Sequence, residues 1–342
     1  MKTRIAILGV GRWGTNLMRN FLAHPQAEIV AIIDISPEKL ARCQQQFGLD
    51  ESQVTYTTEW EKVREQKNID GVVVATPACT HYFLIADALQ GGYHVLAEKP
   101  LALAPAECLA LTRLAAINQR HLFVDHTYLF HSVVTKGKQI INAGKLGELR
   151  YGYASRTNLG PVRQDVDVLW DLAIHDIGIF NYWLGENPIA VEATGKVWLQ
   201  QDQSLADLVW VTLIYESGFQ ADIHLCWLNP DKQRKLAVVG SQGSLIFDEL
   251  STDTPLVFQG GYFVREGKNF IPVAQMREVI EIETRETLWT VCDRFLANIH
   301  TQKPSVSAGL LAAQLVQILT CLTQSLQQQG KRIFVPQLTI NH

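Results

Sequence analysis

The sequence predicts an α/β protein of two domains: a doubly wound parallel sheet, followed by an α+β domain with a large, open, mainly antiparallel sheet. The length of 342 residues corresponds to about two domains at roughly 150 residues each. Up to about residue 126, short β-branched runs alternate with helical patterns, which is typical of β-α units around a parallel sheet. Beyond that point longer alternating stretches indicate antiparallel strands. We expect domains at 1–126 and 127–342.

The composition is that of an ordinary soluble globular protein, with 47% hydrophobic and 19% charged residues. A net charge of −4, with no block of five or more like charges, predicts neither nucleic acid nor a membrane as partner. The six cysteines form no C-x-x-C pair and are interpreted as reduced, mostly buried thiols. Gln314 and Gln317 interrupt the apolar segment 309–322, so we expect it not to span a bilayer. These features predict a cytoplasmic protein.

Helix start signals mark several elements of the first domain. Ser36 precedes Pro37, Thr58 to Glu61 form a possible capping box, and Pro105 opens a helical run. The predicted strands lie at 4–8, 28–34, 54–56, 71–75, 94–97 and 121–125.

The second domain begins with a helix at 133–142 that ends at Gly144. Two further helices are expected at 286–300 and 307–328. A terminal strand at 332–335 could join either sheet. The remaining predicted strands are 148–156, 189–199, 207–216, 219–227, 236–239 and 244–248.

The motif Gly9-x-Gly11-x-x-Gly14 follows the first strand and opens a helix that ends near Ala23. In this context the glycines allow a tight turn, approach of the backbone to a pyrophosphate, and close packing of helix on strand. The free N–H groups at the start of the helix favour an anion. The motif therefore predicts a dinucleotide site, although a purely structural glycine turn remains the alternative.

Asp34 lies twenty residues after Gly14, at the end of the second strand, where a carboxylate can accept both adenosine ribose hydroxyls. It would repel a 2′-phosphate, so we expect NAD rather than NADP. The alternative is that Asp34 caps the helix that starts at Pro37. Trp13 could cover the cofactor or belong to the core.

Two further segments carry candidate catalytic groups. Glu98-Lys99-Pro100 ends the fifth strand at the carboxyl edge of the sheet, where an ammonium could bind the reacting oxygen and relay a proton. Asp171 and His175 are four residues apart on one face of a predicted helix, and histidine suits general acid/base work near neutrality. The alternatives are that Lys99 is a solvated surface lysine, that Asp171 is only a carboxylate in the first turn of its helix, and that His175 is a histidine of the core.

These segments together resemble the glucose-fructose oxidoreductase and inositol 2-dehydrogenase family (Gfo/Idh/MocA). The resemblance rests on Gly9 to Gly14, Ala75-Thr76-Pro77 with His81, 92–101, and Asp171 to Asp176. It implies a Rossmann domain, an open-sheet domain that commonly mediates dimers or tetramers, and pyridine-nucleotide-dependent oxidation of a ring hydroxyl. It also implies Lys99, Asp171 and His175 as catalytic residues. The implied cofactor contacts are Gly9, Gly11, Arg12, Trp13, Gly14, Asp34, Thr76, Pro77, His81, Glu98 and Lys99.

A narrower similarity, through 158–163, 165–171 and 226–230, is to the branch of nucleotide-sugar dehydrogenases. Arg156, Asn158, Arg163 and Asp176 are its candidate substrate contacts, because arginine forks suit phosphate or carboxylate. A solvated basic loop is an equal alternative.

We therefore expect an NAD-dependent dehydrogenase acting on a secondary alcohol of a sugar, nucleotide sugar or cyclic polyol, assembled as a homo-oligomer through its second sheet. The rival hypothesis is a non-catalytic NAD-binding regulatory or scaffold protein of the same fold. His121, His126 and His131 recur every five residues, but this spacing matches no zinc pattern, so no metal is expected.

Overall fold

The computed structural model describes residues 2–50, 52–66, 68–283, 285–300 and 306–338. They form two compact units: the described residues within 2–127 and 285–316, with residue 338, belong to the first, and those within 128–283 and 317–337 belong to the second. The expected division assigns everything after residue 126 to the second domain. Residues 285–300 and 306–316 instead group with the first unit. Phe295 of this segment packs edge-on against Phe21 and Phe123 of that unit.

The first sheet is parallel throughout and has the strand order β3-β2-β1-β4-β5-β6. The chain order reverses direction at β1 and β4, and the carboxyl edge beside such a switch point is where open α/β sheets bind ligands. Its strands are β1 Thr3–Leu8, β2 Ala27–Ile33, β3 Thr55–Thr57, β4 Gly71–Val74, β5 His94–Ala97 and β6 Leu122–Val124. The crossover helices are α1 Arg12–Ala23, α2 Pro37–Phe47, α3 Trp60–Glu65, α4 Ala78–Gln90 and α5 Pro105–Ile117.

The second sheet has nine strands in the order β14-β13-β12-β11-β7-β10-β9-β8-β15. Only the β7–β10 pair is parallel among the described strands of this sheet. The strands are β7 Leu149–Leu159, β8 Pro188–Lys196, β9 Leu208–Tyr215, β10 Gln220–Cys226, β11 Leu228–Gly240, β12 Gly243–Asp248, β13 Leu256–Glu266, β14 Asn269–Val279 and β15 Ile333–Phe334. The fold class expected from the sequence is thereby confirmed.

Four helices follow the first domain's crossovers along the chain: α6 Ser132–Asn142, α7 Ile174–Leu184, α8 Thr287–Ile299 and α9 Val306–Gln327. Helices cover one face of the second sheet. A Cβ on Gly152 of β7 would meet Phe180 of α7 at 2.6 Å, and one on Gly195 of β8 would meet Leu326 of α9 at 3.0 Å. Glycine at these strand positions lets helix and sheet approach closely.

Three expectations about elements need correction or completion. Helix α3 begins at Trp60 with Glu59 as its N-cap, and no side-chain cap bond is seen among the described residues, so the capping box from Thr58 is wrong. The hairpin of β13 and β14 was not predicted. The terminal strand β15 pairs with β8, which assigns it to the second sheet.

One stretch of α9, Gly309–Gln327, is long and apolar enough to cross a membrane by length and composition alone, with a mean hydropathy of 1.4. In the fold, 56% of that stretch is buried. Ala312, Val316 and Leu319 are fully enclosed. We interpret it as a core helix, since burial inside a protein also selects apolar residues.

Candidate active site

The turn after β1 requires glycine at two positions. Gly9 has φ +91°, and a Cβ there would lie 2.6 Å from the carbonyl oxygen of Ala75. A Cβ on Gly14 would lie 1.8 Å from the carbonyl oxygen of Gly9. Neither backbone group can move aside cheaply, so any larger residue would push α1 away from the turn.

The start of α1 fits an anionic group. Gly11 is the N-cap, and no side chain of the described residues occupies its capping bond. A Cβ built on Gly11 meets nothing within 4 Å. The first turn of α1 has no acidic residue, so the helix dipole and its free N–H groups remain favourable to a pyrophosphate. Arg12 and Trp13 stand in this turn, with the indole of Trp13 46% exposed.

Asp34 follows β2 and is 7% exposed. Its Oδ2 accepts from the backbone N–H of Val10 at 3.0 Å, and its Oδ1 accepts from that of Ser36 at 2.9 Å. The N-cap of α2 is Ser36, whose hydroxyl accepts from the N–H of Lys39. Asp34 is therefore not the N-cap. An ionised carboxylate offers about four lone-pair sites, so these two bonds leave capacity for ribose hydroxyls.

The loop after β4 is held by His81. One ring nitrogen lies 2.9 Å from the carbonyl oxygen of Thr76 and the other lies 2.8 Å from that of Pro100. Pro77 is the N-cap of α4. Because His81 is only 1% exposed, its contribution to a cofactor site is to join the loops after β4 and β5 rather than to offer its own surface.

Lys99 follows β5 and is half-buried, next to the buried Glu98. Glu98 Oε2 accepts from the backbone N–H of Lys99 at 3.3 Å, and the Lys99–Pro100 peptide is cis. Both residues stand at the carboxyl edge of the first sheet, as the sequence predicts from the end of the strand.

Two buried titratable residues that the sequence analysis did not assign to the site interact electrostatically with Lys99. Burial raises the pKa of Asp125, while the hydroxyl of Thr127 and the Lys99 ammonium lower it. Burial and, to a smaller extent, the charge of Lys99 lower the pKa of His126 to about 4. Asp125 and His126 directly follow β6 at the same sheet edge as Lys99. That position was the available signal, whereas His126 was considered only as a metal ligand.

In the second unit, Asp171 lies in a π-helical turn, Leu169–Ala173, and His175 lies in the first turn of α7. Asp171 Oδ1 is 3.3 Å from Nη1 of Arg163. Arg163 also pairs with Asp165. The ring of His175 packs against that of Tyr128, with centroids 4.8 Å apart. Lys99 belongs to the first unit and this pair to the second, so their convergence in one crevice stays a prediction.

The expected substrate contacts divide into two groups. Arg156 and Asp176 are 3% and 1% exposed and bind each other through two hydrogen bonds of 2.8 and 2.9 Å. The expectation that they face a substrate is corrected, because the guanidinium fork is already filled by the carboxylate. Asn158 accepts from Arg234 at 2.6 Å. Arg163 keeps about a third of its side chain exposed.

Two of the three histidines considered for a metal have other partners. His121 stacks on His94 at 5.1 Å, and His131 accepts from the N–H of Val133 at the start of α6. Across the described ranges, no group of three or more histidine, cysteine, aspartate or glutamate side chains could hold a metal ion.

Comparison with family models identifies both parts of the chain. Residues 3–126 match the oxidoreductase family with an NAD-binding Rossmann fold. Residues 134–246 match the GFO/IDH/MocA C-terminal domain. The first match contains the glycine turn and Lys99, and the second contains Asp171 and His175.

Curated relatives include two sugar or polyol dehydrogenases. The scyllo-inositol 2-dehydrogenase (NAD(+)) of Bacillus subtilis is 24% identical over 73% of this chain and 75% of that enzyme. The UDP-N-acetylglucosamine 3-dehydrogenase of Acidithiobacillus ferrooxidans is 26% identical over 71% of this chain and 74% of its own.

Solved structures share the fold over nearly the whole length. An inositol dehydrogenase homologue from Azotobacter vinelandii, complexed with NADH and myo-inositol, has a TM-score of 0.80 at 22% identity and covers 98% of both chains. The UDP-N-acetylglucosamine 3-dehydrogenase from Acidithiobacillus ferrooxidans has a TM-score of 0.81 at 21% identity, covering 96% of this chain and 98% of that one.

Proposed function

Because the chain belongs to the Gfo/Idh/MocA oxidoreductase family and begins with an NAD-binding Rossmann domain, we propose that it is a dehydrogenase that oxidises a secondary alcohol of a sugar, nucleotide sugar or cyclic polyol. The observation that carries the proposal is the half-buried Lys99 at the carboxyl edge of the first sheet, the edge to which the glycine turn also belongs. An ammonium there can meet the oxygen of a bound alcohol.

Bound NAD supplies the hydride acceptor. The N–H groups at the start of α1 would hold its pyrophosphate, and the carboxylate of Asp34 would accept hydrogen bonds from its ribose hydroxyls. Lys99 donates a hydrogen bond to the reacting oxygen and stabilises its developing negative charge. His175 accepts the hydroxyl proton through a ring nitrogen. Asp171 orients that imidazole.

NAD is preferred over NADP in this proposal. The carboxylate of Asp34 is 7% exposed and lies beside the glycine turn, where its Oδ2 accepts from the N–H of Val10. A 2′-phosphate placed beside it would bring two negative charges together with little water to screen them.

The substrate class is supported by the relatives and by one loop. The two curated relatives named above act on scyllo-inositol and on UDP-N-acetylglucosamine, as their names state. Arg163, in the loop after β7, pairs with Asp165 and Asp171 but keeps about a third of its side chain exposed. An arginine exposed to this extent can exchange such partners for a phosphate or carboxylate of the substrate. Asn158 lies at the end of β7, just before this loop. The Arg156–Asp176 pair is removed from the list of substrate contacts.

The oligomer is proposed to form through the uncovered face of the second sheet. Tyr151 and Tyr153 on β7 and Trp210 on β9 are 49%, 40% and 52% exposed. They share one face, because Trp210 is in register with His224, and His224 with Ser155, two residues from Tyr153. A second copy would bury these aromatic rings.

The six free thiols support a reducing, cytoplasmic compartment.

The test measures NAD binding by calorimetry and reduction of NAD in the presence of UDP-sugars, free sugars and inositols. Reduction of NAD by one class of alcohol supports the dehydrogenase. Tight NAD binding without reduction by any member of the panel would favour the non-catalytic sensor instead.

A further inference from the structure

Arg156 is the centre of a buried network in the second unit. Its side chain, on β7, and that of Asp176, on α7, are 4% and 2% exposed and form a bidentate ion pair. A buried pair of this kind costs desolvation and is weak evidence for stability alone. The pair is better explained by the groups that it holds in place.

The guanidinium also holds Tyr128, which lies in the short 3₁₀ turn Thr127–Phe130 after β6. Nη1 of Arg156 donates to the Tyr128 hydroxyl oxygen at 2.8 Å, and that hydroxyl donates to Oε2 of Glu249 at 2.6 Å. The central carbon of the guanidinium lies 4.7 Å from the centroid of the tyrosine ring. Burial raises the pKa of Tyr128 to about 12. The phenol therefore stays protonated near neutrality, and its proton is engaged by Glu249.

The ring held in this way is the ring that contacts His175. The two centroids are 4.8 Å apart with planes at 58°, a tilted aromatic contact of the favourable kind. His175 is also the neighbour in sequence of Asp176 on α7. Arg156 thus holds the helix that carries His175 through Asp176, and it holds the ring beside His175 through the tyrosine hydroxyl.

We propose that Tyr128 is a positioning residue for His175, fixed by Arg156 and Glu249 so that its ring restricts the orientation of the imidazole. The inference rests on the proposed function, in which His175 accepts the substrate proton. A general base must lie within hydrogen-bond reach of its proton, and a displacement of about 1 Å can cost about 100-fold in rate. Tyr128 itself exchanges no proton with the substrate.

The first test needs no substrate or cofactor. Histidine labelled with ¹³C at Cε1 gives one signal per residue, and the His175 signal is assigned by its loss in His175→Gln. We expect Tyr128→Leu, which removes the ring current, to shift that signal. Tyr128→Phe keeps the ring, so the signal should stay close to its wild-type position. The matched control is Tyr182→Leu, since Tyr182 lies on the same helix but is 37% exposed and packs on Lys138. An unmoved His175 signal in Tyr128→Leu overturns the inference.

The second test is kinetic. We expect Tyr128→Leu to lower kcat about 10-fold or more while KM and the NAD dissociation constant stay within about 2-fold. Tyr128→Phe keeps the ring and should stay within about 3-fold of the wild-type kcat. In a His175→Ala background, Tyr128→Leu should cause no further loss, because the residue acts only through the imidazole. Multiplying losses in the double variant would contradict the inference.

The failures of the two proposals are distinguishable. If His175→Ala turns over like the wild type, or the wild type reduces no NAD, the proposed function fails, and the NMR test still decides whether Tyr128 holds His175. If His175→Ala is slow but Tyr128→Leu is not, the inference alone fails. Should Tyr128→Leu not fold, Glu249→Gln replaces it, because this change weakens the hydrogen bond from the Tyr128 hydroxyl while the side chain keeps its shape. A fall in kcat of about 3-fold with unchanged KM is then expected.

Discussion

The carboxylate of Asp34 accepts a hydrogen bond from the backbone N–H of Val10, inside the glycine turn. The end of β2 is thereby tied to the turn after β1, and the carboxylate proposed to bind the ribose is fixed before any cofactor arrives. Such preorganisation reduces the ordering cost of binding.

Asp34→Ser should weaken the preference for NAD over NADP. The wild type is expected to bind NAD about 10-fold or more tightly than NADP, because a buried like-charge contact costs several kcal/mol. Serine removes the charge but retains a short acceptor for Val10. Calorimetric titration with both nucleotides measures the ratio, with the exposed Asp50→Ser as control. Tighter binding of NADP by the wild type would contradict the proposal.

Gly14→Ala and Gly11→Ala should fail in different ways. At Gly14 the new methyl group would lie 1.8 Å from the Gly9 carbonyl oxygen, so a lower melting temperature and loss of NAD binding are expected. At Gly11 it meets no atom of the described chain within 4 Å, so stability should fall by only about 1 kcal/mol while NAD affinity falls. Thermal melts beside titrations separate the two, and equal melting temperatures would refute the distinction.

Lys99→Met should retain NAD affinity within about 2-fold, because the pyrophosphate and ribose are held elsewhere. Turnover should fall roughly 100-fold or more, since the group that stabilises the developing oxyanion is gone. Combined with His175→Ala, the loss should be far less than multiplicative, because both act on one step. The exposed Lys136→Met is the control. Undiminished turnover in Lys99→Met would rule out the assigned role.

Asp167→Asn should stabilise the protein above pH 6. Burial raises the pKa of Asp167 to about 6, so the folded state disfavours its ionised form. The wild type therefore loses stability relative to Asp167→Asn as pH rises from about 4 to about 6, by about 1–3 kcal/mol in total. Asparagine can keep the bond from the N–H of Trp170. Denaturant melts of both proteins from pH 4.5 to 8 measure the difference, and a constant offset would argue against this origin.

Trp210→Glu should weaken the proposed oligomer. The new carboxylate would lie among the exposed aromatic side chains of the second sheet. A second copy would bury it there without a partner for its charge. Light scattering at micromolar concentration should report a smaller species than the wild type. Phe83→Glu, at another exposed aromatic side chain in the first unit, is the control. A monomeric wild type would exclude the interface.

The first sheet was predictable because its strands are short, mostly apolar runs that alternate with helical patterns along the chain. The β13–β14 hairpin was missed because Gly260-Gly261 and Pro272 interrupt its alternation. After Phe258 along the chain, the side chains of these two strands also bury little surface. The start of α3 is set by burial of Trp60, whose indole N–H donates to Asp87 at 2.6 Å, which outweighs a local capping pattern.

The candidate site was predictable only where its residues belong to a local sequence pattern. The glycine turn, Asp34 and Lys99 follow directly from strand ends. The Arg156–Asp176 pair joins residues twenty apart on a strand and a helix, and the contact of Tyr128 with His175 joins residues still further apart. No periodicity encodes such pairings, because they arise from packing of the tertiary fold.

The half-exposed indole of Trp13, set in the first turn of α1, gives the protein a built-in optical reporter. Trp60, Trp183 and Trp227 are buried, so a soluble quencher such as acrylamide will reach them poorly. The emission lost in Trp13→Phe isolates the reporter from Trp198 and Trp210, which are also exposed. Stopped flow can then time the proposed binding of NAD at the glycine turn, separately from any reduction of the nucleotide.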